Sequence, residues 1–159
     1  MFPFGWAFAA SVSLGTVVAL SIFIVLVVHE LGHAAIARFC GLQVVGFEFN
    51  IVHGKCIVEA PEYEIERALI SWGGVMAQTM LFLVFLPLHA FGEFVPEALV
   101  RLLAPLAAAF VFLNLLYIIV ALLPIAPLDG ATAWSLIRFL RNGELRRFIY
   151  ARRLARKQS

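Results

Sequence analysis

The chain has 159 residues, a formal net charge of +2 and a mean hydropathy of +0.97, with 63% hydrophobic and 14% charged residues. Soluble domains carry about a quarter charged residues, so this composition excludes an ordinary soluble domain and predicts a membrane protein. The two cysteines, Cys40 and Cys56, do not indicate a disulfide framework and are expected to be free thiols.

Charged residues leave three long gaps in the chain. No Asp, Glu, Lys or Arg occurs from Met1 to Val28, from Ala68 to Gly92 or from Leu102 to Leu128. Each gap exceeds the ~20 residues that a helix needs to cross a bilayer. The sequence therefore predicts an all-α membrane protein with a core of three transmembrane helices (residues 1–140), followed by a basic amphipathic juxtamembrane tail (residues 141–159).

The basic residues predict the orientation. Eight of the twelve Lys and Arg lie between Arg138 and Lys157, and short segments rich in these residues stay in the cytoplasm. We therefore expect the C-terminus and the Gly41–Arg67 loop in the cytoplasm, and the N-terminus and the Phe91–Ala98 loop outside, in a bacterial or archaeal cell membrane. An anionic membrane face accounts for the basic tail more simply than a nucleic acid does, so we expect a lipid partner and no nucleic acid.

The first predicted helix ends in His29-Glu30-Leu31-Gly32-His33, an HExxH motif. Residues i and i+4 share a face of a helix, so His29 and His33 can present both imidazoles to one metal ion. Glu30 lies beside them and can act on a metal-bound water without being a ligand. Two imidazoles, one carboxylate and an open water position form a common catalytic zinc site, so Zn²⁺ is the expected metal. The plainer alternative is two membrane-helix histidines that only hydrogen-bond to their neighbours.

The segment after the first helix has the pattern of a β-hairpin. Apolar residues alternate with other residues from Val45 to Ile51, which is the period of a strand. A turn at His53-Gly54 and a second strand at Lys55–Glu59 would complete a small hairpin on the cytoplasmic side. The hairpin is either a covering flap or an edge that pairs with an extended substrate.

The second and third predicted helices carry polar and small residues. The second begins at Pro61, and its Gly74 lets another helix approach closely. The amide of Gln78 needs a partner inside hydrocarbon, such as another helix, a water or a peptide. In the third helix, Asn114 predicts a hydrogen bond between helices. Gly74, Gln78 and Asn114 are therefore the candidate substrate-positioning residues.

The third helix ends in a segment that contains Pro124, Pro127 and Asp129. Two prolines three residues apart break a helix, and within a bilayer such a break must be buried in protein or line water. An aspartate at that break costs about 2.5–3.5 kcal/mol at the membrane centre unless it is paired or bound to a cation. Asp129 is thus the expected third metal ligand.

The depth of Asp129 in the membrane supports this assignment. His29 lies nine residues before Arg38, and Asp129 lies nine residues before Arg138. At 1.5 Å per residue, both side chains would lie roughly 13 Å inside the cytoplasmic charged boundary. We therefore expect the histidines and the aspartate to meet at one level.

Together these motifs resemble the site-2 protease family of intramembrane zinc metalloproteases. The likeness covers the chain from about Leu20 to Gly130. It is carried by the HExxH motif at His29–His33 and by the proline-rich segment Leu123–Gly130, which ends in Asp-Gly. The Gly74–Gln78 stretch is similar to the family's Gly-x-x-x-Asn motif.

The resemblance implies zinc ligands at His29, His33 and Asp129. It also implies that Glu30 is the catalytic base in hydrolysis of peptide bonds in or near the transmembrane segment of single-span membrane proteins. Two asparagines that are usual in the family are replaced here, by Gln78 and by Ala121. These departures bear on substrate positioning more than on metal binding.

Two other functions are open from the sequence. A non-catalytic, protease-like membrane module would bind client transmembrane segments in the same groove and would lack zinc. A different zinc peptidase would use a glutamate as its third ligand. Of the glutamates after the second span, only Glu144 could reach the site from the cytoplasmic side, and it lies in the basic tail.

Overall fold

The computed structural model describes residues 3–50, 53–90 and 96–158. The chain is mostly helical and has one two-stranded antiparallel sheet, as its sequence predicts. The elements in chain order are α1 (Pro3–Phe39), β1 (Val44–Phe49), β2 (Gly54–Val58), α2 (Glu64–Ala90), α3 (Glu97–Ala121), α4 (Gly130–Ala133), α5 (Ser135–Arg141) and α6 (Glu144–Gln158).

Two helices are long and apolar enough to cross a membrane, over Gly15–Phe39 of α1 and Glu64–Pro87 of α2. The third predicted span corresponds to α3, whose described side chains form a shorter apolar stretch at Phe110–Ala121. The three-span core therefore stays a prediction. Most of the predicted outer loop at Phe91–Ala98 lies outside the described residues.

The first two helices pack against each other through glycines. A Cβ on Gly32 would overlap the backbone of Gly73, and a Cβ on Gly73 would lie 2.9 Å from a side-chain carbon of Ile36. Only residues without a side chain allow two helix backbones to approach so closely. Because α3 packs against both helices, the three helices bury one stripe of α1, which includes Val25, His29, His33 and Ala37.

The predicted hairpin is present between α1 and α2. Strands β1 and β2 pair Phe47 with Cys56 and Phe49 with Gly54, with an irregularity near the start of β1. Gly41, at a positive φ of 79°, follows the end of α1 as expected of a C-terminal glycine. The hairpin packs against α1, which brings the start of β2 over the HExxH motif.

One predicted helix boundary was wrong. The second helix begins at Glu64 rather than at Pro61, because the carboxylate of Glu66 accepts the backbone N–H groups of Glu62 and Tyr63 in a bend before the helix. The third helix ends at Ala121, directly before the proline-rich segment, which confirms the predicted break. The prolines that follow cannot continue it.

The chain beyond α3 folds back onto the N-terminal end of α2. Ile65 and Ala68 of α2 form a small core with Phe139 of α5, and Leu145 and Phe148 of α6 pack against it. The predicted basic tail is therefore a helix with one side in contact with the rest of the protein.

Candidate metal centre

The two histidines of the HExxH motif face each other inside the protein. Their Nε2 atoms are 3.0 Å apart, and their ring planes are nearly perpendicular, with centroids 4.6 Å apart. Both side chains are buried, as is Glu30. One metal-binding atom each from His29, Glu30 and His33 lies within 4.8 Å of the others, so this buried group could hold a metal ion.

The segment after α3 brings Asp129 to the same point. Its Oδ2 lies 2.8 Å from Nε2 of His29 and 3.3 Å from Nε2 of His33. Around a tetrahedral zinc with bonds of ~2.0–2.1 Å, neighbouring ligand atoms are about 3.3 Å apart. The two imidazole nitrogens and the carboxylate oxygen therefore have spacings that fit one such ion.

The backbone of α2 orients His33. Its Nδ1 lies 2.6 Å from the carbonyl oxygen of Ile70. Because a carbonyl only accepts hydrogen bonds, Nδ1 must carry the proton. The Nε2 of a neutral His33 therefore has a free lone pair, which faces Nε2 of His29 and Oδ2 of Asp129. Metal-bound histidines commonly have this arrangement.

The ring of His29 is held differently, by a close approach of α2. A Cβ on Gly74 would lie 2.5–2.7 Å from three atoms of the imidazole, so only glycine fits here without displacing the ring. The edge of Tyr117 on α3 approaches from another side, with ring centroids 6.2 Å apart. The sequence did not mark Tyr117 as part of the site.

The three candidate substrate-positioning residues lie beside the candidate metal centre, not around its cavity. Gly74 packs against His29. Gln78 and Asn114 are fully buried. The Asn114 side-chain amide donates to the backbone carbonyl of Gln78 at 2.7 Å, which confirms the predicted hydrogen bond between helices. Within the part of the chain that the structure describes, none of the three lines the cavity.

The candidate metal centre opens into a cavity of about 620 Å³. Glu30 lies in its wall beneath the hairpin, because a Cβ on Gly54 would be 2.6 Å from a carbon of the Glu30 side chain. The wall therefore combines polar groups of the motif with parts of β2 and of α3. Besides the motif residues and Asp129, it includes Leu26, His53, Lys55, Cys56, Ile70, Ser71, Tyr117, Ala121, Pro127 and Leu128.

Two tryptophans hold the loop that carries Asp129. The Trp72 indole donates to the carbonyl of Ala133 at 2.9 Å, and the Trp134 indole donates to the carbonyl of Leu122 at 2.8 Å. Gly130 lies so close to the Leu122 backbone that no side chain would fit. Sequence reasoning missed both tryptophans, because nothing local to either marks a partner far along the chain.

The alternative third ligand does not lie at this centre. Glu144 is exposed at the start of α6, where the Asn142 side chain donates to it at 3.3 Å. It is not part of the cavity wall formed by the described residues.

No protein-family model matches the chain, and no curated protein matches it. The interpretation of the site therefore depends on the side chains that could bind a metal ion. Two imidazoles come from one helix and a carboxylate comes from a loop a hundred residues later, next to a buried glutamate.

Proposed function

We propose that this protein is an intramembrane zinc endopeptidase, similar to the site-2 proteases, that cleaves single-span membrane proteins in or near their transmembrane segments. The observation that carries the proposal is the meeting of two imidazole nitrogens and one carboxylate oxygen within 3.3 Å of one another. Two histidines and one carboxylate with room for a fourth ligand form a common catalytic zinc site.

The chemistry divides between the metal and the chain. When bound, zinc would supply Lewis acidity, which lowers the pKa of a water and polarises a peptide carbonyl. Glu30 is close enough to the histidines to accept a proton from the attacking water and to donate it later to the leaving amine. Burial beneath the hairpin keeps the Glu30 carboxylate near the reacting atoms.

The proposed membrane arrangement adds a third span to the two apolar helices. In it α3 crosses the membrane, and the site lies near the cytoplasmic side, with the N-terminus outside and the C-terminus in the cytoplasm. Residues 1–140 form the proteolytic core and residues 141–159 the basic juxtamembrane tail. Pro127 and Leu128 line the cavity, and the broken chain there would give water and an unwound substrate segment a route to the site.

The test is zinc content and proteolysis of the purified protein against a panel of single-span membrane proteins. Glu30→Gln should keep its zinc and cleave about 10²–10⁴-fold more slowly, the usual contribution of a general acid-base group. Glu48→Gln changes an exposed glutamate of β1 and should leave both quantities unchanged. Cleavage by Glu30→Gln at the wild-type rate would refute the mechanism.

The identity of the third ligand is tested separately. Asp129→Ala should lose zinc, whereas Glu144→Ala should retain it. The reverse result would favour a zinc peptidase with a glutamate ligand. A wild-type protein that holds no zinc in a chelator-free preparation would favour the non-catalytic module that binds client transmembrane segments.

A further inference from the structure

Four buried side-chain atoms have no hydrogen-bond partner among the described residues: His29 Nδ1, both amide atoms of Gln78, and Asn114 Oδ1. They come from three different helices, α1, α2 and α3. Folded proteins rarely leave buried polar atoms unpaired, because each such atom loses its hydrogen bonds to water without replacement. Four of them on three helices that pack against one another point to a bound polar ligand.

Two contacts between helices place Asn114 and His29 one turn apart along the same face of α2. The Asn114 side chain reaches α2 at Gln78, where it donates to the backbone carbonyl oxygen at 2.7 Å. One turn earlier on the same face of α2, Gly74 packs against His29, and a Cβ there would lie 2.6 Å from Nδ1. Side chains of a helix lean towards its N-terminus, so the Gln78 amide extends towards this edge of His29.

We propose that Gln78 and Asn114 bind water inside the helix bundle beside His29, and that this hydrated amide pair orients the His29 ring. A buried water needs two to four polar partners, and the imidazole edge and the two amides supply them. With a metal held by Nε2 of His29, its Nδ1–H would donate to the water, which would donate to an amide oxygen. This is the water-mediated counterpart of the direct bond from His33 to Ile70.

The site is too deeply buried to recognise a substrate directly. Gln78 and Asn114 are both 0% exposed and lie outside the cavity wall formed by the described residues. They are positioning residues that act through His29. The role of Gln78 and Asn114 in orienting His29 rests on the proposed function, because it requires a metal site. The water site does not depend on the metal.

The water is tested first, in metal-free protein labelled with ¹⁵N in detergent micelles. Wild type should show NOE cross-peaks between water and the side-chain NH₂ groups of Gln78 and Asn114. In Gln78→Met, a change to an apolar side chain of similar length, the Asn114 cross-peak should weaken or disappear. The absence of water cross-peaks to both amides in wild type would overturn the proposal.

The orienting role is tested by zinc affinity, measured by competition with a chelator. Gln78→Met should bind zinc about 10–100-fold more weakly, as losses of such outer partners do. Its metal-free unfolding midpoint should change little, because the exchange of an amide bonded to water for an apolar side chain of similar length has a small net cost. Gln78→Asn should recover most of the zinc affinity, since a shorter amide can still reach water.

The matched control is Thr79→Val, at an exposed residue next to Gln78 in the sequence. The change removes a hydroxyl that donates to the backbone carbonyl of Val75 in the same helix. It should leave zinc affinity unchanged. Unchanged affinity in Gln78→Met, or a loss of affinity and stability together without recovery in Gln78→Asn, would overturn the orienting role. A wild-type protein that binds no zinc would refute the proposed function, while the water cross-peaks would still decide the water site.

Discussion

At the scale of single residues, the candidate metal centre depends on space as much as on ligands. Gly74 leaves room for the His29 ring, and Gly54 leaves room for the Glu30 side chain. Neither glycine has a positive φ, so their backbones are open to any residue. The missing side chain is what matters at both positions.

Gly74→Ala should therefore displace the His29 imidazole and weaken zinc binding by about tenfold or more, in the range seen when a ligand loses its support. The measurement is zinc affinity by chelator competition. Gly15→Ala is the control, because a Cβ at that glycine meets no atom within 4 Å. Equal zinc affinities for the two variants would show that the ring does not depend on this contact.

The thiol of Cys56 reports on the hairpin that covers Glu30. Burial raises the pKa of this thiol above its ordinary value of 9.0, the negative charge of Glu30 raises it further, and Arg38 partly offsets the two. A raised pKa means less thiolate at a given pH. Alkylation of Cys56 in the folded, metal-free protein should therefore need a higher pH than in the unfolded chain.

The charge contribution to the Cys56 pKa can be isolated. In Glu30→Gln, the alkylation profile of Cys56 should move to lower pH, because one of the two effects that raise the pKa is removed. Peptide mass spectrometry follows Cys56 separately from the buried Cys40. A profile identical to that of wild type would mean that the hairpin does not lie over Glu30.

At the scale of elements, one ion pair ties the last helix to the core. The fully buried carboxylate of Glu66 accepts two backbone N–H groups before α2 and bonds the guanidinium of Arg152 on α6. That guanidinium also lies over the Phe148 ring and next to Gly41, at the end of α1. A single arginine therefore connects α6 to the ends of two apolar helices.

Arg152→Met should lower the free energy of unfolding by about 1.5 kcal/mol, the lower end for a hydrogen bond to a charged group. The lower end applies because Arg152 is 36% exposed and the Glu66 carboxylate keeps its backbone donors. The loss should appear in chemical unfolding and in faster hydrogen exchange of α6. Arg147→Met, at an exposed position of the same helix, should change neither.

A double variant shows how much the unpaired charge of Glu66 costs once Arg152 is gone. Adding Glu66→Gln to Arg152→Met removes the unpaired buried charge, so the double variant should be more stable than Arg152→Met alone. If it is less stable, the Glu66 carboxylate contributes more through its hydrogen bonds to two backbone N–H groups than its unpaired charge costs.

At the scale of the whole molecule, the number of spans decides where the termini lie. With three spans the termini face opposite sides of the membrane, and with two spans they face the same side. Single cysteines at Phe2→Cys and Ser159→Cys, in a background without Cys40 and Cys56, report the sides to an impermeant maleimide. In intact cells only the N-terminal probe should react, and both should react after permeabilisation.

The same labelling experiment could also refute the three-span arrangement. Equal labelling of the two probes in intact cells, or equal protection of both, would mean that α3 does not cross the membrane. The proposed zinc site could then still form, because its contacts are between side chains. The site would no longer lie between three spans, and the assignment to intramembrane cleavage would fail.

Features with a local repeat could be predicted from the sequence alone. The i, i+4 spacing of His29 and His33 needs only a helix, and the alternation around Phe47 needs only a strand. The break at Pro124 and Pro127 follows from the chemistry of proline. Equal depth in the membrane also predicted that Asp129 would lie level with the histidines, and the structure brings their side chains within hydrogen-bond distance.

Features that join distant parts of the chain were decided only by the tertiary structure. The contact of Gly74 with His29 depends on how closely two helices approach, and the Glu66–Arg152 pair joins residues 86 apart in sequence. The indole bonds that hold the Asp129 loop are of the same kind. No local period records such contacts, because they form only when separate elements pack, and their strength depends on burial that no short segment possesses by itself.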